Sequence, residues 1–239
     1  METGNEKQEK WYESMTIKMI LIAIMGLMLL IPLALIMEVI RERSANAESA
    51  RTEIGQLWAS AQTVTGPVLN VPGTRVIAND GTFVTTTMHI LPGELGVNGV
   101  LEPEMRYRGI YETVVYDSEM EISGSFTIAG FEQLNDYTWQ WDKAYISLGV
   151  SDNKGISDKA ELSIGGRVIS AIPGAGQSDL FDKGITFPYA VDPSKLAESG
   201  GEFSLKLGLR GSSSVAFSPV GQTTKVTLSS KWNAPSFTG

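Results

Sequence analysis

Between Lys18 and Glu38 the chain runs MILIAIMGLMLLIPLALIM, with no charged or strongly hydrogen-bonding side chain. This run, Met19–Met37, constrains the fold more than any other stretch. A lone segment placed in lipid must satisfy its own backbone hydrogen bonds, and only a helix does so. Its 19 residues, at about 1.5 Å each, reach roughly 28 Å, close to a hydrocarbon core of about 30 Å. Gly26 and Pro32 lie within the run, and both residue types are commoner in membrane helices than in soluble ones. Trp11 and Tyr12 precede it at the distance of an interfacial aromatic belt.

Two other readings compete with an uncleaved anchor. A signal peptide has a shorter apolar stretch and a small-residue cleavage site. Here the run is long and is followed by Glu38-Val39-Ile40-Arg41-Glu42-Arg43, and the nearest A-x-A tripeptide is Ala45-Asn46-Ala47. A buried core helix would carry an apolar stripe rather than an apolar circumference. Length and flanks favour the anchor. Charge does not orient it, because Lys7, Lys10 and Lys18 before the helix balance Arg41, Arg43 and Arg51 after it.

Beyond the run, Glu38–Thr63 holds no Pro and one Gly, so the helix is expected to continue as a polar stalk over 38–63. Ile54, Leu57, Trp58 and Ala61 fall at i, i+3, i+4 and i+7, the spacing of a docking face. After Gly66-Pro67 the periodicity moves from helical towards two. Phe203-Ser204-Leu205-Lys206-Leu207-Gly208-Leu209-Arg210 alternates cleanly, and Met120, Ile122, Phe126 and Ile128 share a face. Val114-Val115-Tyr116, Tyr145-Ile146-Ser147-Leu148 and Lys225-Val226-Thr227-Leu228 read as further strands. Turn signals fall at Asp80-Gly81, Pro92-Gly93, Asn98-Gly99, Gly165-Gly166 and Pro173-Gly174. The fold class is therefore mainly β: one N-terminal transmembrane helix with a polar stalk, then an antiparallel β-sandwich-like domain over 67–239.

The chemistry is defined largely by exclusion. With no cysteine there is no disulfide framework, thiolate nucleophile or Cys-ligated metal; with one histidine there is no multi-His site within one chain. A net charge of −8 supplies no basic face for nucleic acid. Phosphate-loop, dinucleotide, zinc-protease and nucleophile-elbow motifs are missing. A Ser-His-Asp triad would need His89, which stands in the strand-like Thr86–Leu91 and suits a neutral, hydrogen-bonded role. Asp152-Asn153-Lys154-Gly155 and the pair Asp179 and Asp182 offer oxygens to calcium, without the EF-hand spacing. Tyr137, Trp139 and Trp141 alternate and would share one strand face, as core packing, a sugar platform or a membrane patch. No catalytic, cofactor-binding or metal-ligating residue is assigned.

Ordered motifs carry a resemblance. Met37–Arg43 is followed by Thr65-Gly66-Pro67-Val68-Leu69-Asn70-Val71-Pro72, then Leu91-Pro92-Gly93-Glu94-Leu95 and Arg106-Tyr107-Arg108-Gly109-Ile110-Tyr111. Later come Ser151-Asp152-Asn153-Lys154-Gly155-Ile156 and Ser230-Lys231-Trp232-Asn233-Ala234-Pro235-Ser236-Phe237. This order resembles the CreD family of inner-membrane, envelope-integrity proteins. The resemblance implies a cytoplasmic tail (1–18), one anchor (19–37), a periplasmic β-rich domain, and further membrane helices beyond the point where this sequence stops. It implies a bacterial inner-membrane location, and as partners the lipid bilayer, envelope proteins or those further helices. It implies no catalytic residues and no cofactor. The expected role is binding or scaffolding. The rivals are a carboxylate-dependent hydrolase of envelope polymers, and a sensor with a pocket near the stalk.

Overall fold

The computed structural model describes residues 15–77, 82–128, 136–157, 160–176, 179–233 and 235–237. The chain divides into two compact units, one ending at Ala50 and one beginning at Arg51. Helix α1, Met15–Leu57, runs through the whole apolar segment and includes Pro32. Among the described residues it is the one helix long and apolar enough to cross a membrane. Its large apolar side chains from Met19 to Ile40 are each between 51% and 70% exposed, on all sides. That rules out the buried core helix, because such a surface is stable only against lipid.

The stalk is shorter than the sequence suggests. α1 ends at Leu57 rather than residue 63, and strand β1, Gln62–Val76, begins ahead of Gly66-Pro67. Pro67, expected at the domain's edge, lies inside β1, where the register against β6 (Tyr145–Val150) shifts between Thr65 and Val68. A proline lacks the ladder donor, and a bulge is where a strand tolerates one. Because the helix stops early, the expected docking face forms only in part: Trp58 packs on the domain, Leu57 and Ala61 do not. Ile54 is buried, Leu57 is 82% exposed and Ala61 faces solvent.

The second unit is two packed sheets. The remaining strands are β2 (Phe83–Ile90), β3 (Pro92–Arg108), β4 (Tyr111–Phe126), β5 (Thr138–Trp139), β7 (Glu161–Ile164), β8 (Arg167–Ser170), β9 (Ile172–Pro173), β10 (Gly184–Pro188), β11 (Gly201–Ser212), β12 (Val215–Ser218) and β13 (Thr223–Ser230). One sheet has the order β12-β1-β6-β10-β9, with β2 and β5 also on β1; the other runs β13-β3-β4-β11-β7-β8. Pairing is antiparallel except at two edges, where β12 joins β1 and β13 joins β3 in parallel. A short helix α2, Pro193–Ser199, precedes β11; Asp192 caps it by accepting from Ser194 and Lys195 N–H, and Pro193 needs no donor there.

The core forms where the inward faces meet. Leu69, Val71, Ile146, Leu148, Ile185 and Phe187 come from the first sheet; Val97, Met120, Ile122, Leu162, Leu205 and Leu207 come from the second. The alternation read in β11 is real: Phe203, Leu205, Leu207 and Leu209 are buried while Glu202, Lys206 and Arg210 are exposed. Phe126 stacks on Phe203 with centroids 4.8 Å apart. β6 is buried along its length, which explains why Tyr145–Leu148 reads as a continuous run.

The turn signals divide. Gly165 and Gly166, with φ of 55° and 75°, make the two-residue β7–β8 hairpin loop that demands left-handed residues. Asn98-Gly99 is not a turn. It lies mid-strand in β3, opposite Glu121 and Met120, and a Cβ on Gly99 would sit 2.9 Å from Leu228 Cδ2 of β13. Asp80-Gly81 lies outside the described residues, although β1 and β2 pair up to Val76 and Phe83 on either side of it.

Leu207 is 1% exposed. Leu207→Ala is expected to lower the unfolding free energy by about 2–5 kcal/mol. Lys206→Ala, on the solvent face of the same strand, should stay within about 0.5 kcal/mol. Urea denaturation of the two variants checks the register: equal losses would refute it.

Candidate functional site

The feature that gathers the most chemistry is the place where α1 gives way to β1. Trp58 follows the last helical residue, and its N–H still bonds Ile54 O at 3.0 Å. Its indole Nε1 donates to Tyr116 O on β4 at 3.4 Å. Two guanidinium groups approach its ring, Arg106 at 5.0 Å and Arg210 at 5.4 Å from the centroid. A carboxylate holds each one. Arg106 donates to Glu104 at 2.8 Å, and Arg210 to Asp117, its direct cross-strand neighbour, at 2.7 Å. Arg108 pairs with Glu53 in the last turns of α1. The helix end is thus tied to β3, β4 and β11 through Glu53 and through Trp58 just past its last turn.

The strand side is tied by buried amide chemistry. Gln62 is 1% exposed. Its Nε2 donates to Asp152 O at 3.0 Å and Arg210 O at 3.1 Å, while its Oε1 accepts from Asp152 N at 3.3 Å. Ser151 Oγ donates to Ala61 O at 3.0 Å and accepts from Thr63 N at 2.7 Å. The Asp152 carboxylate accepts from Ser60 N at 3.1 Å, Ser60 Oγ at 3.0 Å and Lys154 N at 3.1 Å. Gly155 fits because a Cβ there would collide with Arg210 O and Gln62 Nε2.

These contacts set protonation. Burial raises the Asp152 carboxyl pKa, but the bonds from Ser60 and Lys154, with the Lys154 charge, outweigh it and hold the group below its ordinary value. Burial pushes the Tyr116 phenol well above its ordinary range, and its hydroxyl donates to Ser214 O at 2.9 Å.

Beside the junction lies an open groove of about 380 Å³. Thr63, Thr65, Ser151, Phe181, Asp182 and Lys183 line it, together with Gly149 and Val150. Hydroxyls, one ring, one carboxylate and one ammonium suit the recognition of a small polar group. A smaller cavity of about 270 Å³ lies between Asn153, Ser157, Ala160, Ser170 and Ile185.

The residues weighed from sequence are distributed as follows. His89 is on β2, with Nδ1 2.7 Å from Asn70 Oδ1 and Nε2 2.9 Å from Asp179 Oδ1. Asn70 in turn donates to Ser147 Oγ at 2.7 Å. An amide therefore stands between imidazole and serine, and both Asn70 and Ser147 are fully buried, so this is not a nucleophilic triad. Asp152 is taken up at the junction, Asp179 bonds His89, and Asp182 lines the groove. Among the described residues no three His, Asp or Glu side chains are placed to hold an ion. The aromatic ladder does not form, because β5 stops at Trp139 and Trp141 lies in a 3-10 turn. Trp139 and Trp141 pack against the core, while Tyr137 meets Trp139 at 5.4 Å and Arg75 at 5.1 Å. Sequence reasoning missed Gln62, Ser60 and the two arginines. Their partners lie up to 148 residues away, and no local pattern marks them.

The lowered pKa gives Asp152 a stability contribution that is present above the ordinary carboxylate range and lost as pH falls through its folded value. Asp152→Asn, which keeps one acceptor oxygen but loses the charge, should lower the unfolding free energy near neutral pH. The gap to the parent chain should shrink as pH falls below about 3.9. Urea denaturation across pH measures this; a constant gap would show that the charge is idle.

Comparison with known proteins agrees with this architecture. The family model described as inner membrane protein CreD matches residues 14–239. Inner membrane protein CreD of Escherichia coli (strain K12) is 28% identical over 219 residues, covering 89% of this chain and 48% of that protein. The chain thus spans about half the length of the curated relative it matches. No solved structure matches it. With the family model covering nearly all of its residues, the chain belongs to the CreD family of inner membrane proteins.

Proposed function

We propose that this chain holds a β domain on the periplasmic side of the inner membrane and serves envelope integrity by binding and scaffolding rather than by turnover. The observation that carries the reading is the junction. Ser151 and Thr63, which bond each other and the residues entering β1, also line the groove. A ligand seated there would touch the hydrogen bonds that fix the start of the domain, and binding would bear directly on the anchored end. The groove's mixture of hydroxyls, a ring and both charge signs suits the polar, sugar-rich chemistry of envelope polymers. The Glu and Asp side chains of β3 and β4 support binding over hydrolysis. Asp117 and Glu104 are each committed to an arginine, and solvated carboxylates make poor general acids at neutral pH.

Two measurements test this. Alkaline phosphatase fused after Phe237 should be active and a cytoplasm-dependent reporter at the same point dark; the reverse pair overturns the topology. The purified chain incubated with peptidoglycan, lipopolysaccharide and phospholipid should yield no product by mass spectrometry. Peptidoglycan fragments should instead shift the amide signals of Thr63, Ser151 and Phe181. Cleavage that disappears on replacing one carboxylate would convert the reading to an enzyme.

A further inference from the structure

The hairpin between β3 and β4 outruns the sheet it belongs to. β13 pairs with β3 as far as Leu101, and β11 pairs with β4 as far as Val115. Among the described residues, the outer stretch of β4 from Val114 to Tyr111 pairs with Met105–Arg108 of β3 and with no other strand. A two-stranded ribbon is marginal in water by itself. The end of α1 steadies this one from one face: Arg106 lies over the Trp58 ring and Arg108 pairs with Glu53. Going outward from Arg106 to Arg108, the partners step back from Trp58 to Glu53. The ribbon therefore runs antiparallel to the last turns of α1.

The apex is apolar where the turn does not require it. Arg108 pairs with Tyr111, which leaves Gly109-Ile110 as a two-residue loop. Gly109 has a φ of 61° and Ile110 is not left-handed, a pattern that asks for glycine first and leaves the second residue free. Polar residues dominate such tips. Here Ile110 is 85% exposed and Tyr107 is 69% exposed. Tyr107 and Tyr111 stand on opposite faces of the ribbon, one on each side of the apex. An aliphatic apex between tyrosines has the composition of a membrane interface. Charge does not supply the attraction, because Arg106 is committed to Glu104 and Arg108 to Glu53. We propose that this hairpin tip is a second membrane contact, seating Ile110 and Tyr107 at the headgroup–acyl boundary of the bilayer that holds α1. The tether permits it. From Ile40, where the exposed apolar run ends, to Glu53 is 13 residues, roughly 20 Å of helix. Membrane helices also tilt by up to about 40°. Lipid is the occupant favoured over a free partner, because the anchor keeps this end of the domain near the bilayer and a second contact then costs little further freedom. Such a contact restrains the domain on its single anchor. It depends neither on the groove nor on which side of the membrane the domain lies.

The chain has no cysteine, so Ile110→Cys gives a single labelling point in the full chain. Val168→Cys is the control. Val168 is apolar and 68% exposed, but its register through Ser163, Ser204 and Ser123 falls at Gly96, 12 residues of β3 before Arg108. Each variant carries a fluorescent dye and sits singly in a phosphatidylcholine nanodisc containing spin-labelled lipid. The dye at position 110 should lose fluorescence to the spin label, and the dye at 168 should keep it. An unquenched dye at 110, or equal quenching at both positions, overturns the contact. A dye at 110 that is shielded from water yet unquenched overturns it too, since protein rather than lipid would then cover the tip. Quenching should persist at about 0.5 M salt, where exposed charges are screened within a few Å; its loss overturns the apolar basis. Without any dye, the same spin-labelled lipid should broaden the amides of Gly109–Tyr111 in the nitrogen-labelled parent chain. The double change Tyr107→Ser with Ile110→Ser should relieve that broadening while the Leu205 and Leu207 amides stay in place, which shows that the fold holds. Broadening that survives the double change overturns the proposal.

Discussion

Burying the Gln62 side chain would be costly if any of its polar atoms lacked a partner, since an orphaned amide group costs roughly 1–3 kcal/mol. It is tolerated because its partners come from both sheets. Asp152 follows β6 in the first, and Arg210 belongs to β11 in the second. One side chain at the first position of β1 thus sets where the strand begins and how closely the turn after β6 approaches the edge of β11. It also leaves no space for a side chain at Gly155. The early end of α1 follows from the same constraint. Ser60 and Ala61 must leave the helix so that Ser60 O can accept from Ser212 N at 3.3 Å and Ala61 O from Ser151 Oγ. Helix termination here is dictated from outside the helix.

Electrostatics distributes the same way. The outer face of the second sheet carries Glu102, Asp117, Glu119 and Glu121 in adjoining registers of β3 and β4. Lys206 and Arg210 come from β11. Exposed ion pairs of this kind contribute little to stability singly. Their larger effect is positional. Asp117 and Glu104 hold the two guanidinium groups beside Trp58, where each gains a ring contact worth about 0.5–1 kcal/mol.

The parts of the fold that sequence made legible are those governed by local pattern. An uninterrupted apolar run has one solution in lipid, and the alternation of Phe203–Arg210 leaves one register for β11. Gly165-Gly166 needs left-handed backbone that few other residues adopt. The parts that were hidden depend on distant partners. Asn98-Gly99 looks like a turn, yet its glycine is there because Leu228 of β13 approaches from a parallel edge strand. Gly66-Pro67 looks like a boundary, yet a register shift accommodates it within β1. Trp141 looks like the third rung of a ladder, yet a 3-10 turn takes it to the core. The strand side of the junction was invisible because Ser60 and Gln62 are ordinary polar residues whose meaning lies in atoms about ninety or more positions away.

The polar row on the first sheet shows why a buried network there is not a defect. Each bond in it has its direction forced by the one before. The Asn70 amide nitrogen is spent on Ser147 and two carbonyls, which makes its oxygen the acceptor for His89, which in turn leaves the far side of the ring to meet Asp179. Chains of this kind polarise along their length, so the buried end gains strength from charge at the exposed end. The exposed end is also where disruption is cheapest, because Asp179 is already largely hydrated while Asn70 and Ser147 are fully enclosed. A network anchored in the core and open at one solvated carboxylate gives way from that carboxylate inward, with His89 next in line and Asn70 and Ser147 last.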